Sequence, residues 1–308
     1  MENCIYNGKE ICTFDLKDKS GYYINDLVLE WKIAADEKKL ICSDCGQKVY
    51  LAAGPIMEPY FAHYDKESCD YGNQRESEES KKGKRLLYDL LRNSFPQAKI
   101  RARFRMKNGM YSTCYVANPG GLDIAIDYRL QHTGIDNFTE RDLYYNENQI
   151  IPLYILGINK NIDTNQISWY GDLIQKSIGL CIYLDTKSET ILLKKRFDYR
   201  IGAERKIKYC KKVYPIQELT IKTDGSFLCD FYEECHKIEQ GIQQSKNDYD
   251  QRLKEKRNQK KELENWLIAN RTEIRPDILQ KAMECLQRGE GYLVSKKYLD
   301  YIKENNLL

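Results

Sequence analysis

Between Leu122 and Gln131 apolar and polar residues alternate with period two. Leu122, Ile124, Ile126, Tyr128 and Leu130 share one side, and Asp123, Ala125, Asp127, Arg129 and Gln131 share the other. That alternation predicts a β-strand. Two further apolar runs, Cys181 to Leu184 and Thr190 to Leu193, are separated by Asp185-Thr186-Lys187-Ser188 and read as a hairpin. Leu86, Leu87 and Leu90 mark a helical stripe, and Glu79, seven positions before Leu86, falls on nearly the same line. From His236 to Glu264 the chain is strongly polar and helical in character. A set of apolar residues follows (Trp266, Leu267, Ile278, Leu279, Met283, Leu286, Leu299), with Pro276 near a helix start and Gly289 near its end. The first stretch reads as short strands and turns, bent at Gly8, Gly21, Gly46, Gly54 and Gly72. Four segments result: a β-rich module over 1–77, a core over 78–161 reading helix, strands, helix, strand, a mixed β/α continuation over 162–235, and a helical arm over 236–308. No internal repeat is present.

With 308 residues, 42% of them apolar, the chain has material for about two domains. It lacks the run of about 18 apolar residues that a membrane span needs. The opening MENCIYNGKE has neither the basic nor the apolar region of a signal peptide. A cytoplasmic protein with no membrane partner is expected. Eleven cysteines, an odd number scattered through a chain of this size, indicate reduced thiols, some of them used for metal. A net charge of +3 does not announce nucleic-acid binding, so a basic face has to come from local clusters such as Lys99 to Arg105.

The sharpest local signal is Cys42-Ser43-Asp44-Cys45, followed by Gly46, His63 and Cys69. Two thiolates on a tight turn reach one ion, and a glycine just after them relieves the backbone. His63 and Cys69 would complete a Cys3His set for Zn2+. Cys4 or Cys12 are alternatives to Cys69. Four protein ligands leave no open position, so such a site staples a fold and does not catalyse.

The same residues carry a family resemblance. Cys42-Ser43-Asp44-Cys45-Gly46, then Gly54, then Tyr60-Phe61-Ala62-His63 resemble the zinc motifs of the CoiA-like competence family, with Tyr60 where that family has a first His. Glu76-Ser77-Glu78-Glu79-Ser80, leading into Lys82-Gly83-Lys84-Arg85-Leu86-Leu87, resembles its next helix start. Gln131-His132-Thr133-Gly134-Ile135 and Phe138-Thr139-Glu140-Arg141 with Tyr145 resemble its strand end and following helix. The likeness covers about half the chain. It implies an α/β (α+β) fold: a restriction-endonuclease-like PD-(D/E)XK core, preceded by the zinc-bound module and followed by a helical extension. In such a core, one helix carboxylate and strand carboxylates gather Mg2+ or Mn2+ beside a scissile phosphate.

Glu79, Asp123 and Asp127 are then the candidate acids, with Arg129 and Gln131 supporting. Two registers compete on the strand, Asp127-Tyr128-Arg129 and Arg129-Leu130-Gln131. Asp123 and Asp127 would lie about 13–14 Å apart on an ideal strand, so both grip one ion only if the strand bends. A preceding strand offers only the neutral Asn118. The expected function is DNA processing in uptake, recombination or phage defence by a metal-dependent nuclease. The alternative is a nuclease fold kept for DNA binding, or as an adaptor whose C-terminal helices recruit a partner protein. Weaker candidates are a second zinc set (Cys210, Cys229, Cys235, His236), His132 beside a phosphate, and the cations of Arg252 to Lys261, each more simply read as ordinary packing or a solvated helix.

Overall fold

The computed structural model describes residues 1–18, 21–54, 58–65, 69, 76–117, 120–161, 165–269 and 274–308; Gly72, Asn118 and the side chains of Trp266 and Leu267 lie outside the described part. The chain opens with an antiparallel hairpin, β1 (Asn3–Tyr6) and β2 (Lys9–Cys12). Helix α1 (Asn25–Asp36) follows, then a second hairpin, β3 (Val49–Ala52) and β4 (Tyr60–His63), in which Val49 pairs with His63. Trp31, Ala34 and Ala35 of α1 pack with Leu40, Val49, Leu51 and Phe61 into a small core. The short strands and turns are as expected, but α1 is a helix that the sequence pattern did not predict. Its apolar residues run around it, with Leu29 and Ile33 exposed while Trp31 is buried, so no clean stripe marks it.

Helix α2 (Glu78–Ser94) starts where Ser77 Oγ accepts the N–H of Ser80 at 3.1 Å, satisfying one of the orphan donors of the first turn. Short strands β5 (Ile100–Arg101), β6 (Phe104–Arg105), β7 (Tyr111–Ser112) and β8 (Cys114–Val116) lead to β9 (Asp123–Arg129). Then come α3 (Ile135–Glu147), β10 (Ile150–Gly157), α4 (Trp169–Ile178), β11 (Cys181–Asp185), β12 (Thr190–Ile201) and β13 (Glu204–Pro215). Seven strands form one mixed sheet in the order β13-β12-β11-β10-β9-β8-β5, with β9, β10 and β11 parallel. Residues 78–161 and 162–235 thus contribute to the same sheet. The β11–β12 pair, with Cys181 opposite Lys194, is the hairpin read from the sequence. β9 is the strand expected from the alternation but is buried from Ile124 to Tyr128, because helices cover both faces of the sheet.

Residues 1–199 with 206–239 form one compact unit, and 200–205 with 240–308 form a second. The polar stretch after Cys235 lies on α5 (Phe231–Ala269). In the second unit α6 (Pro276–Gln287) begins on the expected proline and stops just before Gly289, and it packs with α7 (Lys296–Glu304) around Ala282, Tyr298 and Ile302. No helix among the described residues is long and apolar enough to cross a membrane.

Gly83 shows how closely α2 sits on the sheet. A Cβ there would lie 2.7 Å from Tyr128 Cζ and closer still to Cε1. The Tyr128 ring is buried and cannot swing away. Gly83→Ala should therefore lower stability by about 1–3 kcal/mol through overpacking, against the roughly 1 kcal/mol gain expected at an open helix position. Urea unfolding measures it, and the penalty should disappear in a Tyr128→Ala background.

Candidate metal centre and the acidic strand

The loop before β3 is wound tightly. Gly46 N–H donates to Cys42 O at 3.0 Å, Cys42 N–H to Gln47 O at 2.8 Å, and Asp44 N–H to the Cys42 sulfur at 3.4 Å. Gly46 holds φ at +72°, a region that side chains disfavour. This turn presents Cys42 and Cys45 on one side, and β4, paired with β3, brings His63 up to them, with Cys45 Sγ 3.2 Å from His63 Nε2. Cys69 completes the group: the ligand atoms of Cys42, Cys45, His63 and Cys69 all lie within 4.8 Å of one another. Neither Cys4 nor Cys12 belongs to it. Burial pushes the Cys42 thiol up to about 11 and lowers the His63 imidazole, so His63 offers a neutral nitrogen lone pair. Three sulfurs and an imidazole at this separation fit a Zn2+ ion and are consistent with a structural zinc.

The candidate acids do not gather in the same way. Asp127, 1% exposed, points toward α3. Arg141 Nη1 lies 3.2 and 3.3 Å from its two oxygens, and the Tyr145 hydroxyl donates to Oδ2 at 2.8 Å. Burial and the Asp127 charge push the Tyr145 phenol up, so it stays a donor. Arg129 Nη2 stands 3.5 Å from Asp127, and Gln131 lies exposed beyond the strand end. Asp123, at the opposite end of β9, accepts a hydrogen bond from Tyr115. Glu79 sits on the first turn of α2, and its charge is felt by Tyr128, whose ring packs on Gly83 of that helix. Glu79 is thus on the α2 side of the sheet and Asp127 on the α3 side. Among the described residues the Cys3His group is the only cluster of three or more metal-ligand side chains. Among the described residues these five positions do not gather as the Cys3His group does.

Sequence reasoning missed the partners of Asp127. Phe138, Arg141 and Tyr145, spaced three and four apart, are the buried residues of α3. A cation on a buried stripe calls for an acid on the surface it meets, and that signal stands in the sequence. The remaining candidates stand in other surroundings. His132 stacks on Tyr170 with ring centroids 5.0 Å apart, the Cys210 thiol hydrogen-bonds that of Cys235, His236 is exposed beside Glu239, and Arg252 to Lys261 are almost wholly exposed on α5.

Cys42 and Cys45 on the knuckle turn, His63 at the end of the hairpin and Cys69 beyond it thus form a Cys3His group that could hold a metal ion. Residues 29–72, which enclose all four donors, match the family model described as competence protein CoiA, N-terminal domain, so this segment is similar to that domain. No curated protein and no solved structure matches the chain.

One zinc per chain is expected on metal analysis of protein purified without chelator, because the cluster offers a single four-ligand site. Cys45→Ser or His63→Ala should lower that content and the melting temperature together, and stripping the metal should unfold the module around α1. Full zinc occupancy in Cys69→Ser would reassign the fourth position.

Proposed function

We propose that the chain is a DNA-processing protein of the competence type whose nuclease-like core holds nucleic acid without cutting it. The observation that carries this reading is Asp127, the acid best placed in the sequence, with both oxygens engaged by Arg141 and Tyr145 and with Glu79 across the sheet. Metal-assisted hydrolysis needs carboxylates that converge on one hydrated ion beside the phosphate. Carboxylates on opposite faces of a sheet do not converge. Cys42, Cys45, His63 and Cys69 would hold zinc as a staple, since four protein ligands leave no position for substrate. The C-terminal unit, with its own small core around Ala282, Tyr298 and Ile302, is the part assigned to a partner protein.

A second reading, metal-dependent cleavage, is favoured by one observation. Helix α2, the acid-bearing strand β9 and helix α3 occur in the order that the family resemblance implies. The two readings separate in one assay. Single-stranded, duplex and branched DNA incubated with the purified chain and Mg2+ or Mn2+ should stay intact. Cutting that copurifies with the chain and disappears in a folded Asp127→Asn variant would establish cleavage instead.

A further inference from the structure

A cleft of about 310 Å3 runs beside the knuckle, between the first hairpin and the stretch that follows α2. Its lining includes Lys99, Arg101, Arg103 and Arg105, four cations at alternate positions of one short stretch, against two carboxylates, Glu10 and Asp44. The chain as a whole carries only +3, so this is a local concentration of positive charge. We infer that this cleft is a binding surface for the phosphodiester backbone of a nucleic-acid strand. The inference rests on the DNA-holding reading above and gives it a location.

The arginines are set in place before any ligand arrives. Arg101 Nε lies 2.9 Å from Glu10, and Arg103 Nη1 lies 3.6 Å from Asp44. The Arg103 guanidinium rests 3.5 Å from the centroid of the Tyr111 ring, and the Tyr111 hydroxyl in turn donates to Asp44 at 3.1 Å. Arg101 lies over Phe104, whose ring stacks on Tyr115 at 4.0 Å. Guanidinium groups placed over aromatic rings keep N–H edges available for phosphate oxygens, which they bind in bidentate fashion. Lys99, its side chain 59% exposed, and the exposed Arg105 extend the positive rim. Asp44 is one of the two residues between the knuckle cysteines, so the turn that gathers the candidate metal ligands also fixes Arg103. The cations of α5 from Arg252 to Lys261 lie exposed along one helix.

The test is fluorescence anisotropy with a labelled oligonucleotide, single-stranded and duplex, titrated with the full chain over a range of salt concentrations. Lys99→Gln/Arg101→Gln/Arg105→Gln should weaken binding by about tenfold or more, and each cation withdrawn from a phosphate should make the slope of log K against log salt shallower by about one. The exposed Arg105→Gln alone should show a smaller change of the same sign, and serves if the triple variant misfolds. Arg252→Gln/Arg257→Gln on α5 should leave both quantities unchanged. The inference is overturned if the wild-type chain binds neither oligonucleotide, if the cleft variants bind as the wild type does, or if polyglutamate of equal charge displaces the oligonucleotide equally well. Binding that the triple substitution removes, in a chain that also cuts DNA, would refute the non-cutting reading and leave the surface standing. Binding untouched by the substitution, in a chain that does not cut, would do the reverse.

Discussion

A carboxylate with 1% of its surface exposed, in the middle of a seven-stranded sheet, is tolerable only if its charge is answered on the spot. Arg141 and Tyr145 answer that of Asp127, and much of the core follows from this requirement. The pair fixes the rotation of α3 about its axis, because Arg141 and Tyr145 must both face β9 while Phe138 fills the space beside them. Parallel pairing of β9 with β10, the strand that α3 leads into, sets the sheet register, with Asp127 opposite Tyr154. Arg141 also donates to Tyr111 O at 2.7 Å, tying the β6–β7 pair to the same point. Removing one member of such a group leaves a buried charge unanswered, whereas replacing both with apolar residues is often neutral. Both oxygens of Asp127 are thus engaged by protein partners.

The N-terminal module meets a different constraint. Its core is small, and four metal-ligand side chains meet within 4.8 Å at its edge. A thiol whose pKa is raised to about 11 by burial stays protonated at neutral pH unless a cation lies beside it. With a zinc ion held there, metal binding and folding of the module would be one equilibrium. Through Asp44 the same turn reaches Arg103 and Tyr111. The ordering of the knuckle is thus passed directly to the basic cleft.

Much of this was legible in the sequence, for identifiable reasons. The metal centre was legible because its chemistry is local: two cysteines three residues apart, a glycine able to take positive φ, and a histidine and cysteine downstream. The β11–β12 hairpin and the start of α6 were legible because alternation and a helix-initiating proline act over a few residues. Helix α1 was hidden by apolar residues on every side. The acidic strand was read as a strand with two motif registers open on it, and the use of Asp127 depends on which helix faces it. Period two separates the two sides of a strand and leaves open what covers each. Only the fold brings Arg141 to Asp127 and sends Glu79 to the far face.

The central claim is that Asp127 is held for structure by Arg141. A double-mutant cycle on folding stability, with Asp127→Leu, Arg141→Met and the two combined, tests it most directly. Each single change should cost about 3–5 kcal/mol, and the double variant should recover most of that loss. Single costs that are small, or that simply add in the double variant, would contradict the account and return Asp127 to the candidate metal ligands.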